Sequence, residues 1–182
     1  MPVSSPVSIA LSKRKLTYSL LGAFVFMALG LWFSLRPTDW LGNPFLHTPG
    51  WIRAFGLLAL TFFGILAFFV LKKMRDPNPG LVVTAEGLVD NASGLVGGLI
   101  PWADVAGIRE LELMGQKMVM VMLRDPEAYI SRQPNPFKRQ LMNTNFKSYG
   151  SPINISANAL EYSYPELLAL LTTRLTAYRA SK

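Results

Sequence analysis

Two long apolar runs interrupt an otherwise mixed pattern. Residues 16–35 are twenty positions without a charge, and residues 54–71 are eighteen more. Crossing a hydrocarbon layer of roughly 30 Å takes about 20 predominantly apolar residues in a helix. The first run holds Leu16, Leu20, Leu21, Phe24, Val25, Phe26, Leu29, Leu31, Phe33 and Leu35; the second is richer still in Phe and Leu. Both predict membrane-spanning helices, over residues 16–35 and 51–71. Arg53 lies at one end of the second, where its side chain reaches the headgroups. Between them, Pro37, Gly42, Pro44, Pro49 and Gly50 predict a short outer turn. Trp32, Trp40 and Trp51 gather around it as an aromatic belt. The first run is longer than a typical signal core and ends in Leu35, Arg36 and Pro37, without a small-residue cleavage site. It reads as an uncleaved anchor.

After residue 76 the pattern shortens to the strand period. Asp76, Pro77, Asn78, Pro79 and Gly80 form a stiff linker. Strands are expected over residues 81–84, 88–90, 95–100 (loosened by Gly97 and Gly98), 105–113, 117–123 and 152–156, with turns at residues 85–87, 91–94 and 115–116. Asp125 and Pro126 predict a short helix as N-cap and first helical residue. Pro134 and Pro136 end it, and residues 134–150 read as a loop. A final helix is announced by Ser163 and Glu166, a capping box, followed by Leu167, Leu168, Leu170, Leu171, Leu175 and Tyr178 at helical spacing.

The expected fold class is therefore an α+β membrane protein. Residues 1–15 form a basic cytoplasmic N-terminus, residues 16–75 a transmembrane helical hairpin, and residues 76–182 a cytoplasmic domain. Short antiparallel strands closed by one C-terminal amphipathic helix are the layout of a pleckstrin-homology (PH)-like barrel or sandwich.

The run from Pro79 to Leu88, with its Glu86, Gly87 turn, is followed by Ile100, Pro101, Trp102, Asp104 and Val105. It resembles the bacterial PH-like pattern. With the two spans, the Lys13, Arg14, Lys15 start and the stretch from Tyr149 to Ser156, the chain is similar to a family of small bacterial inner-membrane proteins. Members have two N-terminal transmembrane helices and a C-terminal PH-like domain. The resemblance implies an architecture and no activity. Phosphoinositide-binding PH domains place Lys or Arg between their first strands; Glu86, Asp90 and Asn91 stand there instead.

The net charge of +7 resides entirely in residues 1–75, which hold eight Lys or Arg and the single acid Asp39; residues 76–182 hold ten bases and ten acids. Six of the eight bases (Lys13, Arg14, Lys15, Lys72, Lys73 and Arg75) bracket the hairpin, while Arg36 and Arg53 lie on the loop side. The positive-inside rule then puts both termini in the cytoplasm. This basicity is a topology signal and a polybasic collar beside anionic lipid, not the footprint of a nucleic-acid binder.

Within the domain, Arg132, Lys138, Arg139 and Lys147 occupy a stretch without acids. It reads either as a solvated loop or as a basic edge facing membrane or partner. Gly22 and Gly30, and Gly56 and Gly64, repeat at eight residues. They suit a contact between the two helices, though ordinary glycine use or dimerisation gives the same spacing.

Catalytic chemistry is not indicated. His47, in the outer loop, is the one histidine, and there is no cysteine. Zinc sites and the common triads lack parts, and no phosphate-binding glycine loop is present. Neither cofactor nor metal is expected. Glu110 and Glu112 share a strand face, more simply a solvated face than a carboxylate pair. Trp102 is expected in the core, Asp104 at a turn, and Met114, Met118, Met120 and Met122 mostly in the core. Asn143, Asn145, Asn154 and Asn158 read as turn or loop residues. The sequence thus points to a non-enzymatic binding module at the inner membrane, engaging a protein partner with anionic phospholipid as a second contact. The residues expected to carry this are Lys72, Lys73, Arg75, Arg132, Lys138, Arg139 and Lys147. The alternative is a structural subunit of an envelope complex, with the hairpin as its working part.

Overall fold

The computed structural model describes residues 5–37, 49–95 and 98–182. The chain divides into two compact units, one of residues 13–77 and one that joins the residues before 13 to those from 78 onward.

The first unit is a pair of packed helices, α1 (Lys13–Leu35) and α2 (Pro49–Met74), of 23 and 26 residues. At 1.5 Å per residue they are ~35 and ~39 Å long. Both are long and apolar enough to cross a membrane. Their large side chains point outward, Leu58 and Phe68 each at 64 % exposure. A helix from the core of a soluble protein would bury such groups. The helices touch along small residues. A Cβ on Gly30 would lie 2.8 Å from the Gly56 carbonyl oxygen, and one on Gly56 would lie 2.6 Å from the Gly30 oxygen. Phe26 and Phe63 stack at 4.5 Å. Gly22 and Gly64 have nothing within 4 Å, so only half of the glycine repeat serves this contact. The turn expected between the helices, with Trp40, Asp39 and His47, falls largely outside the described residues.

Lys13, Arg14 and Lys15 form the first turn of α1, where the helix dipole disfavours cations; Lys72 and Lys73 close α2, where it favours them. Within that first turn, Arg14 reaches along the helix and donates to the Tyr18 hydroxyl at 3.4 Å.

The second unit is built from two antiparallel sheets. One has the order β1 (Val7–Ile9), β2 (Leu81–Val83), β3 (Gly87–Asp90) and β4 (Leu99–Pro101). The other is β5 (Val105–Leu113), β6 (Gln116–Leu123) and β7 (Ile153–Ser156). Between β6 and β7 lie two helices, α3 (Pro126–Ser131) and α4 (Pro136–Tyr149); α5 (Tyr164–Ala180) closes the chain. The architecture is α+β with two separate sheets, and no closed barrel forms among the described residues.

The core lies between the layers. Leu81, Val83, Leu88, Ile100, Trp102, Val119, Val121, Ile153 and Ile155 meet Leu167, Leu171 and Leu175 of α5, which packs on β5 and β6. Period-two burial along β7, where Ile153 and Ile155 face in, gives one apolar face per strand. Trp102 is 1 % exposed and donates its indole N–H to the Thr84 carbonyl at 3.0 Å. The α5 cap forms as expected: Ser163 N–H and hydroxyl both donate to the Glu166 carboxylate, at 2.7 and 2.6 Å.

Several expectations are revised. The segment read as a basic N-terminal tail is partly a strand: Val7, Ser8 and Ile9 pair with Val83, Val82 and Leu81. Leu11 then bridges Leu160, Ser12 N–H donates to the Ala159 carbonyl at 2.8 Å, and Glu161 N–H donates to Ala10 at 3.1 Å. A three-residue strand followed at once by a basic helix start is too short to announce itself.

The strand expected over 95–100 begins only at Leu99. Residues 96 and 97 lie outside those described. The β5–β6 turn is Met114 and Gly115, both at positive φ (50° and 75°), rather than residues 115–116. Met114 is consequently 97 % exposed and not core. Asn143 and Asn145 lie in α4 and Asn154 in β7, not in turns or loops.

Residues 134–150 are not a loop. Asn135 caps α4 by accepting from Lys138 N–H at 3.1 Å, Pro136 takes the first helical position, and Gly150 ends it at φ 80°. Pro136 starts this helix rather than preventing it, because its missing N–H is one that the first turn leaves unpaired anyway.

Candidate functional site

The helix that replaces the expected loop carries the basic residues. α4 buries Met142 completely and packs Phe146 on the core, so one face is fixed against the domain. Its opposite face presents Phe137, Leu141, Thr144 and Ser148 at spacings of four, three and four residues, which align on one side of a helix. Phe137 is 71 % and Leu141 36 % exposed. On the helical wheel Lys138 borders this face on one side and Lys147 on the other, with Arg139 farther round. Arg132 is the C-cap of α3, just before the link to α4. The structure therefore brings the four domain cations expected at a site onto one helix and the turn that leads into it.

These cations differ from others in the same unit. Arg124 donates to the Ala103 carbonyl at 3.0 Å, Arg179 to Ala106 at 2.7 Å and Arg174 to Ser5 at 2.9 Å. Lys117 sits 5.8 Å from the centre of the Tyr164 ring. Among the described residues, the side chains of Arg132, Lys138, Arg139 and Lys147 make no hydrogen bond or ion pair. No acid lies between Glu127 and Glu161 to neutralise them. Arg124, Arg174 and Arg179 hold the fold together; the α3–α4 set is left to solvent.

The other expected site residues belong to the helical unit. Lys72 and Arg75 are exposed at the end of α2. Lys73 is half-buried and forms an ion pair with Asp76 at 3.2 Å, so its charge is partly committed locally. Sequence reasoning named the four domain cations and did not single out Phe137 and Leu141. A readable signal was present in Asn135 with Pro136 at one end, Gly150 at the other, and apolar residues at 137, 141, 142 and 146.

The carboxylates have structural partners. Glu110 accepts a hydrogen bond from the Tyr164 hydroxyl, and Glu112 lies opposite Lys117 in the β5–β6 register. Asp90, 1 % exposed, accepts from Ala92 N–H at 2.9 Å and Ser93 N–H at 3.2 Å, which closes the turn after β3. Among the described residues no group of three or more His, Asp or Glu converges as a metal site. Comparison with known proteins finds no matching family model, no matching curated protein and no matching solved structure.

Proposed function

We propose that this chain is a non-enzymatic binding module of the bacterial inner membrane. The apolar helices cross the bilayer with both termini in the cytoplasm, and a PH-like domain beneath them engages a protein partner. The pairing of β1 with β2 carries the reading. β1 precedes the first apolar helix and β2 follows the second, which supports both ends of the hairpin emerging on one side of the membrane. The basic clusters at both ends make that side cytoplasmic. A four-stranded sheet, a three-stranded sheet and a C-terminal helix, in that order, are what supports the PH-like assignment.

The chain also enters and leaves the domain at one place. Ile9 pairs with Leu81, Leu11 bridges Leu160, and a Cβ on Gly80 would collide with both Leu160 and Leu11. α1 starts directly after Ser12, and only residues 75–80 separate α2 from β2. Two short connections tether the domain to the apolar helices. Such a display suits a partner that is itself confined to the membrane.

Photo-crosslinkers on exposed positions of the domain, in native membranes, test this reading. A discrete crosslinked protein that disappears when the domain surface is altered supports it. If the helical hairpin alone assembles into the same complex, the structural-subunit alternative replaces it. Cysteine labelling at Ser5 and Ser181 from the cytoplasmic side only is expected; labelling from the outside overturns the orientation.

A further inference from the structure

Lys138 and Lys147 on α4, Arg132 just before it, and two exposed large apolar side chains call for a surface that takes both. A solvated helix face gains nothing from Phe137 at 71 % exposure. A bilayer interface accepts apolar side chains at the headgroup boundary while Lys and Arg stems reach anionic lipid. The charge complementarity is one-sided, because residues 128–160 contain four bases and no acid.

The fold also extends this face outward. Arg124 N–H donates to the Asp104 carbonyl at 2.9 Å, just before α3 begins, and the Ser151 hydroxyl donates to the Val121 carbonyl at 2.6 Å, just after α4 ends. Both outer ends of the helix pair are thus pinned at the same end of β6. The 14 residues of α4 rise ~21 Å, so Arg132, Phe137, Lys138 and Arg139 lie at the far end of that rise.

We propose that the outward face of α4, Phe137 and Leu141 bordered by Lys138 and Lys147, with the neighbouring Arg132, docks on the anionic phospholipid surface of the bilayer that the apolar helices cross. This rests on the membrane-anchored reading above. Two apolar side chains and three cations hold a free protein on a membrane only weakly. Attachment through two short connections makes the encounter intramolecular, with an effective concentration in the mM range. Docking is then reversible, so it sets how the rest of the domain faces its partner.

The chain has no cysteine, so one introduced thiol reports one position. The full chain carrying Ser148→Cys with an environment-sensitive fluorophore is placed in nanodiscs of phosphatidylcholine, with or without phosphatidylglycerol. Expected is a blue-shifted label, quenched by lipid-borne quenchers, in anionic discs alone. Thr172→Cys on α5 remains aqueous in both. Lys138→Gln and Lys147→Gln together reduce the docked fraction about tenfold. Salt at about 1 M, where the screening length is ~3 Å, does the same. Phe137→Ser removes the shift while the domain's thermal transition stays in place.

A Ser148 label that is aqueous in both discs overturns the proposal, as does one shielded only after a protein extract is added. Co-elution of the chain with the discs reads the anchored state separately. Failure to co-elute overturns that state and the docking with it, whereas co-elution with an aqueous label overturns the docking alone.

Discussion

Tyr129 and Tyr164 tie the domain's stability to alkaline pH. Burial pushes both hydroxyls up to about 12, assisted at Tyr129 by Asp90 and Asp104, and at Tyr164 by the hydrogen bond to Glu110 and the charges of Glu110 and Glu112. The neutral phenol is favoured in the folded chain relative to an ordinary value of 10.0. Their contribution is complete below pH ~10 and is lost as pH rises through about 12. Both rings keep contact with water, so the effect is modest. The thermal midpoint is expected to fall across that window, and to fall less steeply in the Tyr129→Phe, Tyr164→Phe double variant. Melts by circular dichroism across pH 9–12 would measure it; equal slopes would refute it. Glu110 shows what sequence offers at this scale. That it lies on an outward strand face was readable, but its partner lies 54 positions away, and no local pattern encodes such a pairing.

At the scale of elements, α4 depends on its ends. Asn135→Ala removes the cap and is expected to cost ~1 kcal/mol. Gly150→Ala forces a Cβ into the left-handed region at φ 80° and costs about 1–2 kcal/mol. Either speeds hydrogen exchange across 136–149 about fivefold or more, read by mass spectrometry, with little change elsewhere. In the helical unit, Gly56→Val drives side-chain atoms into Ser34 and the Gly30 carbonyl, a cost on the order of 1–3 kcal/mol. Gly22→Ala, facing open space, is expected to be silent in the same detergent-denaturation assay.

These elements also show where pattern reading works. α1, α2 and α5 were legible because long apolar runs and a capping box dominate their windows. α4 was missed because its apolar residues are split between a buried and an exposed face, so no single stripe stands out. Its exposed half is the part that suggests a site.

At the scale of the whole molecule, the domain is discontinuous. Ile9, 2 % exposed, lies in the same core as Trp102 and Leu171. Ile9→Ala is expected to lower the stability of the domain by about 2–5 kcal/mol, although the residue precedes both apolar helices. Val25→Ala, an outward-facing change in α1, should leave the domain's transition where it is. The two measured by the same thermal scan separate membership of the domain from mere proximity in sequence. This arrangement was invisible in the sequence because strand partners on either side of a hairpin carry no shared period or motif.

The β1–β2 ladder also imposes an order on biogenesis. Ile9 leaves the ribosome first, and its partner Leu81 arrives roughly 4–15 s later at ~5–20 residues/s. In the proposed topology both apolar helices insert during that wait and return the chain to its starting side. A chain whose second helix fails to insert strands β1 and β2 in different compartments. The sheet is then left with Leu81 and Val83 along an unpaired edge, the kind of surface that invites aggregation and capture by chaperones or proteases. In that topology only a correctly inserted chain completes its sheet.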